Sequence, residues 1–91
     1  MNKAVVTVAG QDTVGIIAKT CTYLAKANIN ILDISQTVVS GYFNMMMIVD
    51  VTDPGKPFGQ ISEELAALGR DEIGVQIKCQ KEEIFDLMHR I

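Results

Sequence analysis

A chain of 91 residues, 48% of them hydrophobic, is enough for one core and one domain, residues 1–91. The formal net charge is −3, and Lys3, Lys19, Lys26, Lys56, Lys78 and Lys81 are scattered among acids, which excludes the basic stripe of a nucleic-acid binder. No apolar run reaches the ~18 residues of a membrane span.

Met1 leads into a strand-like run without a signal leader. Cys21 and Cys79 are isolated within apolar periodic segments, as free cysteines are in a reducing compartment. The expectation is a cytoplasmic protein. With no Trp, three Phe and two Tyr, its core must be aliphatic.

Residues 3–9 (KAVVTVA) are Val-rich and bounded by Gly10, which predicts a strand apolar on both sides. Residues 10–15 (GQDTVG) predict a loop. Val14, Ile17, Ala18, Cys21, Leu24 and Ala25 then recur at helical spacing, with Asp12 or Thr13 to cap the start. Asn28 ends this helix in the left-handed conformation.

Residues 30–39 alternate through Leu32, Ile34, Gln36 and Val38, Ser40-Gly41 is a turn dipeptide, and residues 42–52 form the returning strand of a hairpin. Residues 53–57 (DPGKP) predict a loop. Phe58, Ile61, Leu65 and Leu68 mark a second helix stopped by Gly69. Ile73, Val75, Ile77 and Cys79 alternate as a fourth strand, and residues 81–91 place Ile84, Phe85, Met88 and Ile91 on one face of a terminal helix.

That order predicts an α+β fold. It is a ferredoxin-like βαββαβ sandwich, a four-stranded antiparallel sheet with two helices on one face, plus a short C-terminal helix. In the third strand Met45, Met47, Val49 and Val51 point one way, and Met46 and Ile48 the other. In the first, Val6 and Val8 stand opposite Val5. Two helices leave part of this surface open, so the tail helix, a second subunit or both should cover it. A homo-oligomer follows, with a two-fold dimer favoured.

No catalytic constellation can be assembled. His89, the only histidine, sits near the C-terminus as a solvated helix-end cation, and Ser62 has no histidine to activate it. The first loop has no Cys-x-x-Cys, and two cysteines fall short of an iron–sulfur set. Strand alternation sends Met45, Met46 and Met47 to opposite faces, which fits packing rather than a metal site. No enzyme activity, cofactor or metal is expected.

The informative stretch is Gly10-Gln11-Asp12-Thr13-Val14-Gly15-Ile16. Free amides at a helix start suit a carboxylate. Gly10 and Gly15 let a ligand or a neighbouring strand approach, and Asp12 can receive an ammonium group. Together these suit a zwitterion such as an amino acid. The same residues also fit a structural role, with Asp12 capping the helix and Gly15 allowing close helix–sheet packing.

This loop, its helix, and Asn28-Ile29-Asn30-Ile31-Leu32-Asp33-Ile34 resemble the ACT domain, a regulatory module of amino-acid metabolism, and most of all small bacterial proteins that consist of one such domain. The resemblance covers essentially the whole chain. It implies a ligand pocket between the loop of one subunit and the start of the second strand of its partner. Asp12 would face the ligand, Gly15 would let ligand and helix meet, and Asn30 would reach across the dimer. Some amino-acid-binding members carry histidine where Gly10 stands and proline where Val14 stands, and both are missing here. The implied function is a non-catalytic allosteric sensor of a small molecule that signals to a separate protein. The alternative is a ligand-free adaptor, docking a partner through the open face and Ile84, Phe85, Met88 and Ile91.

Overall fold

The structure is a computed structural model that describes residues 2–88. In chain order it contains β1 (Lys3–Gln11), α1 (Ile16–Lys26), β2 (Asn30–Val39), β3 (Tyr42–Asp50) and α2 (Phe58–Ala67). A π-helix (Leu68–Ile73), β4 (Gln76–Lys81) and α3 (Glu82–Met88) follow. The strands lie in the order β2-β3-β1-β4, each antiparallel to its neighbour. The expected ferredoxin-like sandwich is therefore the observed fold.

Alternation builds one face of the sheet. Ala4, Val6 and Val8 of β1 stand beside Val49, Met47 and Met45 of β3, and Val6 and Val8 stand beside Cys79 and Ile77 of β4. Against them α1 turns Ile16, Thr20 and Leu24, spaced one turn apart, and α2 turns Ile61 and Leu65. Leu24, Met47, Ile61 and Leu65 are fully buried, and each contributes about 1.5–3 kcal/mol by leaving water. Thr20 joins this core without penalty, because its hydroxyl donates to the Ile16 carbonyl at 2.7 Å.

Above the core, Tyr23 of α1 donates its hydroxyl hydrogen to Glu64 of α2, which also accepts from Lys56 and Gln60. This group locks the two helices and the loop before α2 together. Burial and the Glu64 carboxylate both push the Tyr23 phenol above its ordinary value. Hydrogen bonds from Lys56, Gln60 and Tyr23 draw Glu64 down to about 2.

On the opposite face Val5 is also buried, and α3 packs against β1 and β4. Met46 of β3, on that face, remains 43% exposed, as does Ile84 of α3 at 47%. The tail helix thus covers only the β1–β4 half. His89 and Ile91, and the Met88 side chain, lie outside the described residues. Among the described residues no helix is long and apolar enough to cross a membrane.

Ser40 and Gly41 have φ of 52° and 80°, the left-handed pair that a tight hairpin requires. Asn28 ends α1 at φ 60°, as the sequence predicts. Five details differ from expectation. α1 buries Ile16, Thr20 and Leu24, whereas Val14 precedes the helix and Ile17, Ala18 and Ala25 are exposed, so the apolar spacing marks a neighbouring face. Gly69 does not stop the second helix; the chain continues as the π-helix, and Gly74 at φ 87° ends it. Ile73 belongs to that π-helix, so β4 begins only at Gln76. A bulge between Ile31 and Asp33 takes Leu32 out of phase with Ile34 and Val38. The start of α1 has no side-chain cap from Asp12 or Thr13, its N-cap being Gly15 at φ 91°.

Candidate functional site

The loop begins where β1 ends, with Gln11 paired to Tyr42 and through it to Val39. The next amide, that of Asp12, donates to the Gly41 carbonyl at 2.8 Å. The loop is therefore tied to the β2–β3 hairpin. Gln11, Asp12, Thr13 and Val14 are exposed, Val14 at 99%. Ile16 is buried at 2% and anchors the far end in the core.

The two glycines differ in role. A Cβ on Gly10 would stand 2.8 Å from Val75 Cγ1, so at this position it is a neighbouring residue that approaches closely. The same contact leaves no room for a larger residue such as histidine. A Cβ on Gly15 would meet only Lys19 Cε, at 3.8 Å. Close helix–sheet packing is therefore not its role. Gly15 is required by its left-handed φ, and the ground above it is open.

Gly15 gives its carbonyl to the Lys19 amide at 2.9 Å, the first hydrogen bond of the helical pattern. The amides of Ile16, Ile17 and Ala18 precede any helical acceptor, and no side chain caps them. The helix start therefore presents donors and a partial positive charge, and the same loop carries the exposed carboxylate of Asp12. Groups of both signs on one loop can hold a molecule that carries both charges.

Asn30 is elsewhere. It pairs with Asp50, which pairs with Lys3, at the end of the sheet opposite the loop. The nine residue steps from Asn30 to Val39 span roughly 30 Å of strand. Within one chain, then, residues 10–16 come together and Asn30 does not join them.

The strand edges were not distinguished in the sequence. The Asn2 carbonyl accepts from the Val51 amide, so even-numbered backbone groups of β1 address β3. Val6 and Cys79 are then a non-hydrogen-bonded pair, and the Cys79 carbonyl faces outward from β4. Ser62 of α2 donates to that carbonyl at 3.1 Å. By the same alternation, the outward backbone groups of β2 belong to Ile34, Gln36 and Val38. Only the Ile34 amide is recorded with a partner among the described residues, the Asp33 carboxylate at 2.8 Å. Ile34 and Val38, which turn toward the helix layer, are 44% and 55% exposed.

Among the described residues no group of three or more His, Cys, Asp or Glu could hold a metal ion. None of their buried side-chain nitrogens or oxygens lacks a hydrogen-bond partner.

The chain is a ferredoxin-like sandwich whose first helix starts at Gly15 without a side-chain cap. A profile described as the ACT domain matches residues 2–80, and the chain belongs to the ACT domain family. A UPF0237 protein from Bifidobacterium longum is 64% identical over the full length of both chains. The structure of an ACT domain protein from Streptococcus pneumoniae is similar with a TM-score of 0.80, at 39% identity, covering 93% of this chain and 94% of that one. The ligand-free regulatory subunit of aspartate kinase from Thermus thermophilus is similar with a TM-score of 0.63 at 25% identity, covering 87% of this chain and 50% of that one. ACT domains are typically ligand-binding regulatory modules, and they often dimerise.

Proposed function

We propose that this protein is a non-catalytic cytoplasmic sensor that binds a small molecule of the amino-acid class across a homodimer. Residues 10–16 of one subunit and the partner's Asn30 form the crevice. The tie between Asp12 and Gly41 is the observation that carries this reading, because it sets the loop beside the end of β2 that a second copy would reach.

The edges support it. Ser62 occupies the outward carbonyl in the middle of β4, whereas β2 offers Gln36 and Val38 for pairing. Two β2 strands paired antiparallel about Gln36 set Ile34 against the partner's Val38. They also bring the partner's Asn30 to the hairpin end, beside the loop. Ile34 and Val38, half exposed in one chain, would then be covered.

Binding would act by population shift. A ligand held by both subunits favours the dimer arrangement for which it has the higher affinity. The output passes to a separate protein. A thermal-shift screen of the standard amino acids tests the reading. One of them should raise the melting temperature, by an amount corresponding to about 2.7 kcal/mol at a hundredfold excess over its Kd, and Asp12→Ala and Asn30→Ala should each abolish the shift while remaining folded. No shift with any amino acid would count against it.

The exposed Met46 and Ile84 favour one second reading, a ligand-free adaptor that docks a partner on the half-covered face. Such a protein would show no metabolite-dependent shift, and Met46→Lys would abolish capture of its partner.

A further inference from the structure

Val75 connects the start of the candidate ligand loop to the π-helix. On one side its Cγ1 and Cβ lie 2.8 and 3.0 Å from where a Gly10 Cβ would stand. On the other, its amide donates to the Gly69 carbonyl at 2.9 Å, which also accepts from Gly74 at 2.7 Å. A Cβ on Gly69 would stand 2.7 Å from the Val75 carbonyl oxygen and 2.7 Å from Ile77 Cγ1. Val75 is 5% exposed.

A second tie runs in parallel. Lys19, one turn beyond Gly15, donates its ammonium to the Glu72 carbonyl of the π-helix at 3.4 Å. Residues on both sides of the β1–α1 loop therefore bear on the same segment, 69–75. A π-helix is a rare insertion with weak intrinsic preference, so its persistence depends on such contacts. Close-packed interiors transmit small displacements rather than absorb them.

We propose that Val75 couples the β1–α1 loop to the π-helix, so that displacement of Gly10 weakens the paired hydrogen bonds at the Gly69 carbonyl. The π-helix is then the element in which the state of the loop is read out. Its role in signalling rests on the ligand reading given above; the mechanical coupling does not, and it is tested without ligand. Coupling of this kind is reciprocal, so a change at Val75 must also register in the loop.

Hydrogen exchange of individual amides, followed by NMR, tests it. In Gly10→Ala, the Gly74 and Val75 amides should exchange faster by about tenfold, within the usual range of site-to-site coupling, while the Met47 amide in the core changes far less. Adding Val75→Ala to that variant removes the 2.8 Å contact with Cγ1 while keeping those with Cβ and Cα at 3.0 and 3.1 Å, and should recover part of the loss. Val75→Ala alone, which keeps the fold accessible if Gly10→Ala does not, should accelerate exchange at the Asp12 amide. The proposal is overturned if Gly74 and Val75 change no more than Met47, if the double variant exchanges as fast as Gly10→Ala, or if Val75→Ala leaves Asp12 unaltered. Failure of the amino-acid screen would leave these outcomes untouched, which separates the two claims.

Discussion

Ser62 on α2 donates its hydroxyl hydrogen to the Cys79 carbonyl on β4, 3.1 Å away. That carbonyl faces outward from the sheet, so a helix side chain takes an acceptor that a neighbouring molecule could otherwise pair with. Edge strands invite uncontrolled association unless they are blunted. One outward acceptor of the β4 edge is taken by the chain's own helix.

Ser62→Ala should therefore act in two ways. Loss of one partly buried hydrogen bond costs about 1 kcal/mol, visible as a lower urea midpoint with an unchanged slope. It also frees β4, so light scattering should detect species larger than the wild-type assembly. A variant that is destabilised but assembles like wild type would show that the β4 edge is closed by something other than Ser62.

Asp33 plays a smaller version of this part on β2. Its carboxylate accepts from the Ile34 amide, one of the outward donors that strand pairing with a second copy would use. Asp33→Ala should release that donor and remove a charge from the β2 edge. Dimerisation measured by sedimentation equilibrium is expected to tighten several-fold, in the range of one net hydrogen bond. Weaker association would argue that β2 is not the shared edge.

The Glu64 group makes stability depend on pH. Glu64 is drawn from its ordinary 4.5 to about 2 by hydrogen bonds from Lys56, Gln60 and Tyr23. A carboxyl with a depressed folded-state value contributes stability above its unfolded value, and this is lost as pH falls from 4.5 toward 2. Asp50, lowered by its hydrogen bonds from Thr52, acts in the same direction. Tyr23 works at the other end. Its value is raised above 10.0, so its contribution is full below that pH and fades as pH rises beyond it. Glu64→Gln should flatten the acid limb of a stability–pH curve between 4.5 and 2; an acid limb identical to wild type would contradict this assignment.

Much of the fold was legible because local signals agreed with one another. The Val run of β1, the alternation around Met45 to Val49, the Ser40-Gly41 turn and Asn28 as a helix end all stand in the structure as the sequence predicts. The misreadings share a cause. Gly69 looks like a helix stop, but it is a glycine because Ile77 and the Val75 carbonyl crowd it, a contact invisible to local periodicity. Leu32 continues an alternating pattern, yet the bulge beside it carries no glycine to signal the shift. In the site, the loop was legible as a motif. The role of Gly10 was not, because it is decided by Val75, far along the chain.

A crevice shared between two copies is tested directly by subunit mixing with whichever amino acid stabilises the wild type. Asp12→Ala and Asn30→Ala dimers should each fail to bind it. Mixed dimers would unite both lesions in one crevice and leave the other intact, so an equimolar exchange should restore about a quarter of the wild-type sites. Calorimetry showing that recovery is the predicted result. A mixture as inert as its components, or full binding by a monomer, would contradict it.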